Sequence, residues 1–170
     1  MTTATSSTLF DTGKAAMDLA RRCTLKLVDG IPPDKLCHQP VPNANHALWV
    51  LGHLACSDGF FATQLGGHEP VIDEKWPELF GMGSKPIDDP GAYPSLEEVM
   101  AGLERARQAM LVTFQAMGEQ KLMSPTPDDW HVFAPTYAAV MGSVAFHEGF
   151  HAGQLSAVRR SLSLGSALEM

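Results

Sequence analysis

His147-Glu148-Gly149-Phe150-His151 is the run of residues in this chain with the clearest chemical content. Residues four apart on an α-helix lie one turn apart on one face, so both imidazoles can reach a single divalent metal ion. The same five residues fit the H-E-x-x-H pattern of zinc proteases, in which the glutamate is a general base. Two chemistries therefore compete. One is peptide hydrolysis with Glu148 as base; the other is a helical His-x-x-x-His metal pair in which Glu148 has a different task, such as a salt bridge or a dimer contact.

Four helical segments have to position these groups. Leu9, Ala16, Leu19, Ala20, Cys23 and Leu27 recur at helical spacing from about 8 to 29, and Gly30 with Pro32-Pro33 stops that helix. Asn43 or Asn45 is expected to cap a second helix reaching about Gly66, with the stripe His46, Trp49, His53, Cys56, Phe60. Residues 67–94 carry Pro70, Pro77, Pro86, Pro90 and Pro94, a connection long enough to cross the molecule or serve function. Ser95-Leu96-Glu97-Glu98 reads as a capping box opening a third helix, whose seam is Leu96, Val99, Leu103, Ala106, Met110, Phe114 and Met117. Pro125, Pro127 and Asp128-Asp129 end it. The fourth helix is expected from near Pro135 to about Leu162, with Tyr137, Val140, Val144, His147, His151, Gln154 and Val158 on one stripe. No strand-type alternation and no internal repeat interrupts this pattern, so the fold class is all-α, a bundle of four long helices.

Composition narrows the function classes. A chain of 170 residues, 45% hydrophobic and 18% charged, is most simply one globular domain over 1–170 with a real core. A net charge of -7 argues against a nucleic-acid surface, because phosphate binding needs clustered Lys and Arg. The basic pairs Arg21-Arg22 and Arg159-Arg160 read as solvated helix faces. Cys23, Cys37 and Cys56 are odd in number and form no Cys-x-x-Cys, which fits reduced thiols in a cytoplasmic protein. Met1 to Ser7 is Thr/Ser-rich without a signal-type apolar stretch, and no segment has the length of a membrane span, so a membrane partner is not expected.

His147, His151 and His53 all occupy inward positions of their stripes. An unpartnered buried polar group costs roughly 1–3 kcal/mol, and three aimed at one core need a common partner. A divalent metal held by His53, His147 and His151 is the simplest one, with zinc or nickel foremost and iron or copper also suited to imidazole. Three protein ligands leave a coordination position for chemistry. Cys56 is an alternative fourth ligand that would close the site. His46 lies about 10 Å from His53 along the axis and reads as a helix-end or cavity-rim residue. His38, His68 and His131 fall in connections and read as exposed, with His131 beside Trp130 a candidate for a site mouth. Gln154 shares the seam and can orient a ligand from behind.

The protease reading lacks its context. Gln154 stands where one zinc-protease layout needs Gly, and Glu169 is the sole downstream glutamate for the other, one residue from the terminus. No strand is expected to hold a peptide.

Asn45-His46-Ala47-Leu48-Trp49-Val50-Leu51-Gly52-His53-Leu54-Ala55 resembles the second-helix signature of the DinB/YfiT-like superfamily. His147-Glu148-Gly149-Phe150-His151-Ala152-Gly153-Gln154-Leu155 is similar to its fourth-helix signature. The resemblance implies a four-helix bundle with an up-down-down-up path, the long crossover lying between helices 2 and 3. It implies metal ligands at His53, His147 and His151, and a homodimer. It also implies a low-molecular-weight thiol as cosubstrate, in transfer or isomerisation of a small-molecule substrate. The expected mechanism is metal activation of a thiol or a water against an electrophile. That electrophile would enter between the 67–94 and 120–134 connections. Glu148, about 100° around the helix from His147, is not expected to serve as the base. The alternative is a stress-related module that binds a metal or small ligand without turnover.

Overall fold

The computed structural model describes residues 8–67 and 69–168. Five α-helices follow in order: α1 Leu9–Val28, α2 Ala47–Gly66, α3 Trp76–Phe80, α4 Leu96–Leu122 and α5 Tyr137–Ser161. Short 3-10 turns occupy Pro33–Lys35, Pro90–Ala92 and Asp128–Trp130. Among the described residues there is no strand; Pro125 and Thr136 form an isolated bridge. Met1 to Ser7, His68 and Glu169 lie outside the described residues.

The helix ends follow local chemistry. Thr8 and Asp11 close a capping box on α1, and Ser95 with Glu98 closes the expected one on α4. The second helix departs from expectation: its N-cap is His46, whose Nδ1 accepts from the Trp49 amide at 3.1 Å. Asn43 instead adopts a left-handed turn conformation, with φ 65°. Thr136 caps α5, so Pro135 stands before the cap rather than inside the first turn. Within α4, Gly118 has φ 68° and ψ 167°, a break that a glycine tolerates.

α1 packs chiefly on α5 and α2 on α4, with α3 laid against α2. The apolar interior divides into two clusters. One holds Leu27, Leu54, Phe80, Leu103 and Leu155; the other holds Met17, Ala62, Met110, Phe114 and Val144. Every long helix passes from one cluster to the other, and each carries one buried charged residue at the crossing: Arg21, Asp58, Arg107 and Glu148. That junction corrects two expectations about α1. Arg21 is buried rather than solvated, and because its side chain takes an inward position, the buried face runs through Met17, Ala20, Arg21, Thr24 and Leu27. Leu9 and Leu19 are exposed in consequence.

The 67–94 connection is strapped across the first half of α2. Trp76 and Phe80 are buried, Trp49 Nε1 donates to Ser84 Oγ at 2.9 Å, and Gln39 Nε2 donates to Pro86 O at 3.3 Å. His46 Nε2 meets Ile87 O at 3.0 Å, and the Ile87 amide donates to the Tyr93 hydroxyl at 2.8 Å. Gly52 is the residue that lets this strap come close, because a Cβ there would run into the Phe80 ring. Gly52→Ala is therefore expected to destabilise the fold by about 1–3 kcal/mol, the usual cost of overpacking a filled core. Gly142→Ala, on an open face of α5, is the control and should be neutral or stabilising. Equal urea midpoints for the two variants would show that the strap gives way without strain.

Candidate metal centre

α2 contributes His53, and α5 contributes His147 and His151 one turn apart. His147 Nε2 lies 3.2 Å from His53 Nε2 and 3.0 Å from His151 Nε2. One ligand atom from each of the three falls within 4.8 Å of the others, and among the described residues no further Cys, Asp, Glu or His belongs to the group. His151 is buried, while His53 and His147 are half-buried, so the cluster reaches the surface on one side.

The rings are held from behind. His53 Nδ1 lies 2.7 Å from Phe80 O, and a carbonyl only accepts, so the ring proton sits on Nδ1 and Nε2 is bare. His151 Nδ1 lies 2.8 Å from Gln154 Oε1, which also accepts from Asn45 Nδ2 at 3.1 Å. The same assignment leaves His151 Nε2 bare. Trp49 stacks on His53 with ring centroids 4.6 Å apart and planes within 9°. Such backing of ligand histidines is what fixes their tautomer and direction in metal sites.

Burial keeps these imidazoles neutral: it pushes His147 and His151 down to about 4 and lowers His53 as well. Their lone pairs are therefore free to donate. One proton on His147 Nε2 can point at only one of the two bare nitrogens and leaves the other without a donor. A divalent cation among the nitrogens satisfies all three, so the donor set fits an imidazole-binding metal such as zinc or nickel.

The remaining candidates lie elsewhere. Cys56 is not part of the group; burial raises its thiol to about 12, and it packs against the core, so it does not close the site as a fourth ligand. Glu148 turns to a neighbouring face of α5, where Oε1 accepts from Arg21 Nε at 2.6 Å and Oε2 from Arg107 Nη2 at 2.6 Å. With both oxygens occupied and the side chain fully buried, it is no base for a substrate at the histidines. His38 pairs with Ser161 Oγ at 3.0 Å. His131 is exposed and bonded to Thr126 O at 2.9 Å. Two surface hollows, of about 480 and 560 Å³, lie beside Trp76 and Arg105 and beside Cys37 and His38, away from the cluster.

Sequence reasoning missed the roles of Phe80 and Asn45 behind the ligands, and the whole Arg21–Asp58–Arg107–Glu148 junction. Asn45 was legible as a helix cap and as the first residue of the second-helix signature; it lies just before the His46 cap, where its side chain reaches Gln154.

The fold and the site together define an all-helical protein with a three-histidine cluster between two of its long helices. The chain belongs to the DinB superfamily, whose family model matches residues 16–155, a span that includes all three histidines and Gln154. Comparisons with curated proteins and with solved structures gave no match.

Proposed function

We propose that the chain binds one divalent metal ion, zinc or nickel, through His53, His147 and His151, and acts as a metal-dependent enzyme on a small molecule. The observation that carries this reading is the convergence of three neutral imidazoles on one point, two of them with Nε2 left bare by their Nδ1 bonds. Bound there, the metal would lower the pKa of a coordinated water or low-molecular-weight thiol and so supply a nucleophile near neutral pH.

The chain's own residues set the geometry for that chemistry. Trp49 and Phe80 O hold His53; Gln154, braced by Asn45, holds His151. Three ligands leave room for substrate, and the half-buried side of the cluster is where it enters. In this reading the entrance lies between the 67–94 and 120–134 connections. A homodimer and a cytoplasmic setting belong to the same reading; the free thiols Cys23, Cys37 and Cys56 fit the latter. No helix among the described residues is long and apolar enough to cross a membrane.

An up-down-down-up path for the four long helices also belongs here. Gly13 with Met141, Arg21 with Glu148 and Leu27 with Arg159 advance together along α1 and α5. Asn45 with Gln154 and His53 with His147 advance in opposite senses along α2 and α5. The long second connection then carries the chain back to the end where α2 begins, and α4 runs antiparallel to α1, Leu9 meeting Glu119 and Met17 meeting Arg107.

One observation favours a second reading, a metal- or ligand-binding module without turnover: among the described residues no carboxylate joins the histidine group as a base. The enzyme reading and the metal-binding form of the second both require the metal. Elemental analysis of protein purified without an affinity tag is expected to give close to one metal per chain. No metal, even after incubation with zinc and with nickel, would overturn both.

A further inference from the structure

The two helix faces that carry the histidines lead to one patch of aromatic rings. On α2, Phe60 follows His53 by seven residues, which places it on nearly the same line and roughly 10 Å further along the axis. On α5, Ser143 precedes His147 by one turn, and its hydroxyl donates to Phe133 O at 2.5 Å. Phe133 lies 5.6 Å from Trp130, centroid to centroid; Trp130 lies 5.7 Å from Phe61 and 6.2 Å from Phe60. Phe60 and Trp130 are within 29° of parallel.

These rings are only partly used by the core. Phe61 and Trp130 lean on the buried cluster around Met110 and Val144, but Phe60 remains 51% exposed and Phe133 42%. The positions one turn from the histidines toward the patch are Ser57 and Ser143, short and uncharged. α2 and α5 also touch far less than the pairs α1–α5 and α2–α4.

We infer that the aromatic patch of Phe60, Phe61, Trp130 and Phe133 is the far end of the substrate site. The ligand it fits is a small organic molecule with a metal-ligating polar head and a flat aromatic end about 10 Å away. The occupant is a small molecule because four rings fall well short of the roughly 800 Å² per partner that a stable protein interface covers. A ring seated among them gains edge and face contacts beyond plain area burial. Ligand sites combine such an apolar lining with a few convergent polar groups, here the three imidazoles. The inference rests on the metal reading of the histidine cluster and extends it to a substrate class.

Calorimetry on the zinc-loaded protein tests it with three probes: acetohydroxamate, octanohydroxamate and 6-phenylhexanehydroxamate. The phenyl probe is expected to bind about tenfold more tightly than the octyl one. That advantage should vanish in Phe60→Ala and in Trp130→Ala, with acetohydroxamate affinity unchanged. Equal binding of the phenyl and octyl probes, or an advantage that survives Phe60→Ala, would overturn the proposal. Phe60 is half-exposed, so the Phe60→Ala arm stands even where Trp130→Ala unfolds. A second arm uses metal-free protein and 2-naphthol, read by NMR. Shifts confined to the four rings support the site, and their absence at millimolar 2-naphthol overturns it. Should acetohydroxamate fail to bind the zinc-incubated protein, the metal reading falls, and the naphthol arm alone decides the ring site. Dimerisation lost in Phe60→Ala would show that the patch is covered by a second copy instead, and would equally overturn the proposal.

Discussion

His53→Ala is expected to purify as a folded chain that no longer retains metal. In the proposed site His53 is the sole ligand on α2; the other two share α5, so its loss would leave a two-nitrogen site on one helix. Removing even a residue that merely orients a ligand costs about 10–100-fold in metal affinity, and removing the ligand itself should exceed 100-fold. The effect has a thermodynamic counterpart. At free metal about 100 times its Kd, a metal that binds only the native state adds roughly 2.7 kcal/mol of stability. The unsubstituted protein should therefore show a higher Tm on metal addition, and His53→Ala should show none. Its metal-free form should still unfold cooperatively, since His53 is half-buried and its surroundings are anchored by Trp49, Phe80 and Ser84. His131→Ala is the matching control: that ring is exposed, bonded to Thr126 O, and outside the cluster, so the variant should bind metal as the parent does. One equivalent of metal held by His53→Ala at parental affinity would sink the three-histidine assignment.

The histidines were legible in the sequence because the signal that reveals them is periodic. His147, His151 and Gln154 step by four and three along α5, and His53 falls on the stripe of Trp49, so helical spacing alone aims them inward. The helices themselves were legible for the same reason, and Ser95 with Glu98 marked the start of α4 by its chemistry. The α2 cap was not. Asparagine is the stronger capping residue, and nothing local signals that Asn45 is needed by Gln154, 109 residues away. His46 then takes the cap with Nδ1, while its other nitrogen holds the crossover at Ile87 O. The charged junction was invisible for a deeper reason. An arginine or aspartate on a helix reads as solvated unless its partner is known, and here the partners lie 37 to 127 residues away in the chain. Leu19 and Phe60 show the consequence from the other side. They were assigned to buried stripes, yet are exposed because charged or cluster-forming neighbours set the rotation of their helices.

Glu148→Ala is expected to destabilise the protein by about 3–5 kcal/mol, the cost of breaking a buried ion pair by removing one partner. Against a total stability of about 5–15 kcal/mol this brings the fold near its limit. Glu148 binds Arg21 and Arg107 at 2.6 Å each; Asp58 binds Arg107 at 2.8 Å and Arg21 at 3.0 Å. Two cations and two anions, one from each long helix, thus form a neutral buried junction. Burial works against the Arg107 charge, but Asp58 and Glu148 outweigh it and hold its pKa above the ordinary arginine value. Without Glu148, two guanidiniums share one carboxylate in a site with little access to water. The double variant Arg21→Ala with Glu148→Ala removes one charge of each sign and leaves the Arg107–Asp58 pair. Its cost should fall below the sum of the single variants by about 0.5–3 kcal/mol, the range for directly coupled residues. Urea unfolding with unchanged m-value measures all three. A Glu148→Ala midpoint within about 0.5 kcal/mol of the parent would mean that the junction is replaceable by packing or water. The direction of the effect bears on the metal as well. Glu148 follows His147 in the chain, so the bonds that fix Glu148 toward α1 and α4 also fix the rotation of α5. That rotation is what turns His147 and His151 toward His53, and the glutamate of the H-E-x-x-H run serves the site by holding the helix rather than by moving a proton.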